Sequence, residues 1–228
     1  MTPAGVVEKA LEYKASAIAF FYTEPTIYIE FMKDVARAAR EKSLATVMVT
    51  AGSINEKPLA DALELIDAFT IGLKGFTDGY YSKVIKGRLA PVQAAIRQVK
   101  ASGKHLELVN LLVPTLNDSE AEVNQLIDWV GEHLGPDVPL HFTRFNPQFQ
   151  LKSLPPTPVS LLDRFRKNAM AKGLHYVYTG NIPGHEGNHT LCHSCHKTVI
   201  ERLGFQVLKN RLVEGECPDC GNRIPGRW

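Results

Sequence analysis

Short apolar runs alternate along this chain with longer segments in which apolar residues recur every three or four positions. The apolar runs predict β-strands and the periodic segments predict amphipathic helices. The predicted strands, all before about residue 180, are SAIAFFY, ATVMVTAG, AFTIGLKGF, LELVNLLVP, PLHFTRFNP and LHYVYTGN. Strict alternation with nearly continuous apolar strands predicts an α/β fold: a parallel sheet of five or six strands covered by helices.

Local signals predict where several helices begin and which faces they bury. Ser119 and Glu122 form the pattern of a capping box at the start of the clearest helix. Thr157 is predicted to cap the helix that follows the fifth strand. Five residues predict the buried stripe of the clearest helix: Val123, Leu126, Ile127, Val130 and Leu134. Three residues predict the buried face of the second helix: Ile27, Phe31 and Val35.

Charge and composition narrow the classes of function. The 228 residues include 26 Lys and Arg against 24 Asp and Glu, so the net charge is +2 and gives no electrostatic reason to expect a nucleic-acid partner. No apolar run approaches the roughly 20 residues that a membrane span needs. The N-terminal residues lack the charged-then-apolar layout of a signal peptide. We therefore predict a cytoplasmic protein with no nucleic-acid and no membrane partner.

All four cysteines fall into two Cys-x-x-Cys pairs: Cys192 with Cys195, and Cys217 with Cys220. Two thiolate pairs on tight turns can surround one metal ion, and this spacing is unlike a scattered disulfide framework. The prediction is zinc in a structural role, with an iron–sulfur site left open because tetrahedral sulfur suits both. Four nearby histidines are predicted to lie on the surface rather than bind the metal: His185, His189, His193 and His196.

The predicted organisation is therefore an α/β domain over residues 1–180 followed by a metal-binding ribbon over residues 181–228. The spacer between the cysteine pairs alternates as a strand or hairpin does. Three of its apolar residues are predicted to cover one side of the metal: Phe205, Val207 and Leu212.

Polar residues occupy the ends of successive predicted strands. In parallel α/β folds, ligands bind at the carboxyl ends of the strands. These ends carry a carboxylate, a small-residue turn, an ammonium group, an amide and an imidazole, contributed by Glu24, Thr50, Gly52, Lys74, Asn110 and His141. Such a set predicts a site for a zwitterionic ligand, with Glu24 facing an amino group and Lys74 a carboxylate.

Several segments resemble a known family. In order they are YTEPTIYIEF, VMVTAG, GLKGF, LLVPTLNDSEAEV, PLHFTRFNPQF, GLHYVYTGNIPG and CPDCGNRIPG. They resemble the radical S-adenosylmethionine (SAM) enzyme of the AmmeMemoRadiSam system, which is related to the activating enzymes of pyruvate formate-lyase. The resemblance covers nearly the whole chain and implies a partial (β/α)6 barrel with a [4Fe–4S] cluster and SAM as cofactors. It implies that Glu24 binds the SAM amino group and that Thr50, Gly52, Lys74, Asn110 and His141 line the same cofactor.

The resemblance also implies a reaction and partners. SAM would be cleaved reductively to a 5′-deoxyadenosyl radical that abstracts hydrogen, as in the activation of glycyl radical enzymes. The implied partners are a protein substrate or other AmmeMemoRadiSam-system proteins, and a reductant such as flavodoxin or ferredoxin.

The sequence departs from the family pattern at two levels. The C-x-x-x-C-x-x-C loop that binds the cluster in the family does not occur in it, so the resemblance implies an N-terminally truncated chain that lacks the first barrel strand. Thr23, Ala51 and Gly72 stand where the family usually has Asn, Asn and Asp. These departures favour an alternative function, a catalytically inactive fragment or paralogue that acts as a zinc-ribbon binding module.

Overall fold

The computed structural model describes residues 1–226 as an α/β fold followed by a small antiparallel sheet. The first six strands form one sheet in chain order: β1 (Ala17–Phe20), β2 (Ala45–Thr50), β3 (Ala68–Gly72), β4 (His105–Leu112), β5 (Leu140–Arg144) and β6 (Val177–Gly180). The helices are α1 (Pro3–Glu12), α2 (Ile29–Glu41), α3 (Glu56–Leu63), α4 (Asp78–Tyr80), α5 (Leu89–Ala101), α6 (Glu120–Leu134) and α7 (Val159–Ala171). The predicted α/β class with a six-stranded parallel sheet is confirmed.

The chain divides into two compact units. The first comprises Met1–Leu73 and Lys86–Glu107. Within it, β1 pairs in parallel with β2, and β2 pairs in parallel with β3. Its buried core includes Met48 of β2 and Phe69 of β3. Among the helices of residues 1–226, none is both long and apolar enough to cross a membrane.

The second unit comprises Lys74–Ile85 and the described chain from Leu108 onward. Parallel pairing joins β4 to β5 and β5 to β6, and Phe142 of β5 packs against Phe165 of α7. The same unit holds an antiparallel sheet of β7 (Thr190–Leu191), β8 (Thr198–Leu203) and β9 (Gln206–Asn210). The domain boundary near residue 180 stays a prediction.

Two predicted helix starts are corrected by contacts with distant residues. The Ser119 hydroxyl caps α6 by accepting a hydrogen bond from the Glu122 N–H, but the Glu122 carboxylate accepts from the N–H of Phe76 and does not complete a capping box. Thr157 caps nothing, because α7 begins at Val159 after Pro158. The fully buried Thr157 hydroxyl instead contacts the backbone at two other strand ends.

The predicted buried face of α2 is also corrected. Ile27 is 74% exposed and Phe31 is 38% exposed, whereas Val35 is buried as predicted. Ile27 lies in a 3₁₀ turn over Pro25–Tyr28, whose tighter winding takes it out of phase with α2. Phe31 lies within α2 but at the margin of its buried stripe, because residues four apart are offset by about 40° around a helix with 3.6 residues per turn. The buried side chains of α2 are Met32, Val35, Ala36 and Ala39.

Candidate functional site

Glu24 lies just beyond β1, where its carboxylate accepts hydrogen bonds from the end of β2. The Thr50 hydroxyl donates to Oε1 at 2.6 Å, and the Ala51 N–H donates to Oε2 at 2.8 Å. The Thr26 N–H adds a longer contact of 3.4 Å to Oε1. These donors offset the cost of placing a carboxylate in a partly buried position after an apolar strand. Glu24 therefore ties the ends of two neighbouring strands together.

The turn after β2 requires glycine at position 52. Gly52 has a φ of +73°, and a Cβ there would lie 2.7 Å from Cγ2 of Ile71 and 3.2 Å from Cγ1 of Val92. The Gly52 N–H donates to the Thr50 hydroxyl at 3.0 Å. The first unit thus brings together three of the predicted cofactor-binding residues in one hydrogen-bonded group: Glu24, Thr50 and Gly52.

Lys74, in the second unit, lies on a loop whose backbone is held on both sides. Its N–H donates to the Tyr81 hydroxyl at 3.1 Å, and its carbonyl accepts from the buried Asn117 amide at 2.6 Å. Burial raises the pKa of Tyr81 to about 12, which keeps the phenol protonated. Tyr81 begins a single π-helical turn, Tyr81–Ile85, a local geometry that is frequent at functional sites.

Asn110 and His141 lie on adjacent strands but on opposite faces of the sheet. The register pairs Asn110 with Phe142 and His141 with Val109, and side chains alternate between faces along a strand. The buried Asn110 shares the face on which Phe142 meets α7. His141 stacks on Tyr178 with ring centroids 4.9 Å apart. The structure therefore does not bring these two predicted site residues together.

The four cysteines converge in the geometry of a single-ion site. The Sγ atoms of Cys192 and Cys220 are 3.6 Å apart, and those of Cys195 and Cys217 are 3.7 Å apart. A tetrahedral zinc ion with Zn–S bonds of about 2.3 Å separates its sulfurs by about 3.8 Å. All four Sγ atoms lie within 4.8 Å of one another. A cubane cluster would spread them more widely, because each thiolate there binds a different iron.

The two Cys-x-x-Cys turns share one backbone pattern. The His196 N–H donates to the Cys192 carbonyl at 2.8 Å, and the Gly221 N–H donates to the Cys217 carbonyl at the same distance. The residue after each pair has a positive φ, 59° at His196 and 73° at Gly221. Glycine suits this conformation, whereas histidine adopts it at a cost. The site is therefore formed by two matching turns that face each other.

Backbone hydrogen bonds prepare Cys192 to bind a cation. Burial raises the pKa of this thiol, but N–H groups of Cys195 and Ser194 and the adjacent thiols outweigh burial and lower it to about 7. For Cys195, the hydrogen bond from the Lys197 backbone lowers the pKa, while desolvation and the neighbouring sulfurs together raise it to about 12. Neighbouring thiolates repel one another, so the four thiols do not all lose their protons easily without a metal. A bound cation compensates the negative charges and stabilises the thiolates.

The apolar cover of the cysteine site is only partly as predicted. A small core surrounds the site and consists of Tyr176, Cys192, Val199, Ile200, Cys217 and Ile224, with Leu212 packed against it. Phe205 and Val207, predicted to cover the site, are exposed instead. Leu203 pairs with Gln206 in the β8–β9 hairpin, so Phe205 lies in the connecting turn, away from the core.

The neighbouring histidines are not part of the four-sulfur group, but most are not plain surface residues either. Nδ1 of His185 accepts from the N–H of Gly187 at 3.1 Å, and Nδ1 of His189 accepts from the N–H of Arg202 at 3.1 Å. Both side chains thereby order the entry to the ribbon. His196 is exposed, as predicted. The fourth, His193, stacks on the ring of His175 with centroids 3.9 Å apart.

Two sequence comparisons relate this chain to known proteins. The family model of the radical SAM superfamily matches residues 1–130. An uncharacterised protein of Methanocaldococcus jannaschii is 42% identical over 226 residues, which cover 98% of this chain and 67% of that protein.

Solved structures resemble the fold at low sequence identity. A domain of pyruvate-formate lyase-activating enzyme from Bacteroides vulgatus superposes with a TM-score of 0.63 at 12% identity, covering 73% of this chain and 100% of that domain. A radical SAM methyltransferase from Sphaerobacter thermophilus also gives 0.63, at 17% identity over 82% of this chain. The chain spans 61% of the methyltransferase structure. Streptococcus suis SuiB bound to SAM gives a TM-score of 0.65 at 10% identity over 79% of this chain, which spans 44% of the SuiB structure. From the family match over residues 1–130, we conclude that this chain belongs to the radical SAM superfamily.

Proposed function

We propose that this chain forms the SAM-binding part of a radical SAM enzyme. In such an enzyme, reductive cleavage of SAM supplies a 5′-deoxyadenosyl radical that abstracts hydrogen from the substrate. Family membership implies both SAM and an iron–sulfur cluster. The observation that carries the proposal is the Glu24 carboxylate, held by Thr50 and Ala51 at the strand ends where parallel α/β proteins bind ligands.

The chemistry of Glu24 suits the amino group of SAM. Its three donors are a hydroxyl and two backbone N–H groups, which are neutral, so they leave the negative charge of the carboxylate in place. A carboxylate has about four lone-pair positions, so acceptor capacity remains for an ammonium group. The Gly52 N–H donates to the Thr50 hydroxyl at 3.0 Å, so the turn orients the hydroxyl that holds Glu24. In this proposal Glu24 binds the amino group, while Thr50 and Gly52 hold the carboxylate in position.

The residues of this chain do not fit the cluster. A [4Fe–4S] cluster is held by cysteine thiolates. The sequence has four cysteines, and all of them belong to the ribbon, where their spacing matches one metal ion. The cluster thiolates are therefore not supplied by these residues, and the proposal for this chain is confined to SAM binding.

The nature of the substrate rests on the family resemblance. It favours a glycyl residue of a partner protein, with flavodoxin or ferredoxin as the electron donor. Lys74, Asn110 and His141 stay predicted SAM contacts on the same basis. The opposite faces of Asn110 and His141 bear on this assignment, since a ligand on the His141 face would not reach the Asn110 side chain directly.

For the ribbon we propose zinc in a structural role. The support is the 3.6 Å and 3.7 Å spacing of its sulfur pairs, which suits one tetrahedral ion. A second candidate function for the whole chain follows from the same spacing together with the missing cluster ligands. In it, the chain is a catalytically silent binding module whose ribbon recruits another protein.

Binding of SAM to the purified chain separates the two functions. We expect calorimetry to detect SAM binding to the wild-type chain, weakened at least tenfold by Glu24→Gln, because the amide carries no charge. Glu30→Gln is the matched control, since this exposed glutamate in the first turn of α2 loses the same charge. A zinc-containing wild-type chain that does not bind SAM would overturn the enzyme proposal and favour the binding module.

A further inference from the structure

A second cluster of metal-binding side chains lies beside the ribbon and includes none of its cysteines. It consists of Asp137 in the α6–β5 loop, His175 just before β6, and His193 in the first Cys-x-x-Cys turn. One donor atom from each side chain lies within 4.8 Å of the donor atoms of the other two. The three residues belong to one compact unit but are far apart in sequence.

The side chains are already ordered toward one another. The Asp137 carboxylate lies 2.8 Å from Nδ1 of His175, and the rings of His175 and His193 stack 3.9 Å apart with an angle of 5° between their planes. Nδ1 of His193 lies 3.0 Å from the Tyr176 hydroxyl. The hydroxyl oxygen can accept a hydrogen bond from the Nδ1–H tautomer of His193, which leaves Nε2 unprotonated and able to bind a metal, as outer partners of metal-bound histidines do.

The backbone that carries these side chains is fixed by hydrogen bonds. The His175 N–H donates to the Pro136 carbonyl at 2.9 Å, which holds the residue before Asp137 against His175 itself. His193 lies in a turn closed by the bond from the His196 N–H to the Cys192 carbonyl. Little backbone ordering therefore remains to oppose the binding of a ligand. Asp137 is half-exposed and His175 is about one-third exposed, so an ion can enter from solvent.

We propose that Asp137, His175 and His193 bind a second divalent transition-metal ion. Two imidazoles and one carboxylate form a set that zinc, copper and nickel ions accept. Ligand atoms about 2.1 Å from a tetrahedral ion are about 3.4 Å apart, so modest side-chain rotations bring the present donors into place. Three protein ligands leave one coordination position for water or another ligand. This site differs from the four-cysteine site, whose ligands complete the tetrahedron.

The competing explanation is that the cluster is only a polar contact between the ribbon turn and the α6–β5 loop. Zinc binding distinguishes the two. We expect the full chain, purified with one zinc per molecule, to bind a second zinc on titration with Zn²⁺ alone. We expect His175→Asn to weaken this second site at least tenfold and to leave the first zinc in place. His105→Asn is the matched control, because His105 forms an exposed pair with Glu107 at 3.0 Å that is not in any group of three ligands within residues 1–226.

A spectroscopic readout checks the ligands directly. The ¹⁵N chemical shifts of the His175 and His193 rings are expected to change as the second zinc binds, whereas that of His105 stays constant. If His193→Asn loses the ribbon zinc as well, Asp137→Asn replaces it, because this residue lies outside both cysteine turns. One zinc per chain under saturating Zn²⁺ would refute the proposal. So would a second zinc that His175→Asn and Asp137→Asn both leave unchanged.

Discussion

The carboxylate of Glu122 accepts a hydrogen bond from the backbone N–H of Phe76 at 2.6 Å. Glu122 lies in the first turn of α6 and is 8% exposed, and Phe76 belongs to the loop that carries Lys74. The fit is close at Gly75, where a Cβ would lie 3.0 Å from Oε1 of Glu122 and 2.5 Å from Cδ1 of Tyr80. Helix α6 therefore positions the Lys74 loop through a buried acceptor rather than using it for its own cap.

Replacing Glu122 tests this positioning. We expect Glu122→Ala to lower the free energy of unfolding by about 1–3 kcal/mol, because the Phe76 N–H loses its acceptor in a partly buried position. Glu122→Gln keeps an oxygen acceptor and is expected to cost less. Denaturant unfolding measures the loss, and hydrogen exchange of the Phe76 amide reports its location. Equal effects of the two variants, with no faster exchange at Phe76, would contradict the assignment.

The buried hydroxyl of Thr157 is expected to contribute through two hydrogen bonds. It accepts from the Phe145 N–H at 2.8 Å and donates to the Leu112 carbonyl at 2.6 Å. Thr157→Val keeps the shape but leaves both backbone groups without this partner, so we expect a loss of about 1–3 kcal/mol on chemical denaturation. Thr143→Val is the control, since its hydroxyl makes only a 3.4 Å contact with the Asn110 carbonyl. A loss no larger than that of the control would show that the paired bonds contribute little.

Alanine substitution at two glycines with the same φ distinguishes the cost of backbone strain from the cost of a steric clash. Gly52 and Gly103 both have a φ of +73°, but a Cβ at Gly103 would meet nothing within 4 Å, whereas one at Gly52 would lie 2.7 Å from Ile71. We expect Gly103→Ala to cost about 1 kcal/mol from the left-handed conformation alone. Gly52→Ala is expected to cost clearly more, measured as a lower denaturation midpoint. Similar losses would mean that the β2 turn relaxes to admit the methyl group.

Metal removal is expected to unfold the ribbon locally. The core around the cysteines is small, so we expect a metal ion bound by them to contribute much of the stability of this sheet. We expect Cys217→Ser to abolish the zinc at the four-cysteine site and to increase hydrogen exchange in β8. Ser194→Ala, inside the same pair of turns, is the control that retains zinc. Zinc analysis and exchange of the Val199 and Ile200 amides provide the readouts. Unchanged exchange in a zinc-free Cys217→Ser chain would show that the core alone holds the ribbon.

The sequence by itself determined features that depend on local pattern. The apolar stripe of α6 is buried as predicted, because a 3.6-residue period places those side chains on one face wherever the helix packs. The Cys-x-x-Cys spacing likewise predicted a four-sulfur site, since each pair is brought together by its own turn. The six strands followed from their apolar runs, with differences of a few residues at the ends.

Only the tertiary structure decided which distant groups meet. The partner of Glu122 is 46 positions away and that of Thr157 is 45 positions away, so no local pattern reports either bond. Strand register placed Asn110 and His141 on opposite faces, because one residue of offset reverses the direction of a side chain. The Asp137 cluster arose in the same way, from a loop, a strand entry and a cysteine turn that meet only in the folded chain.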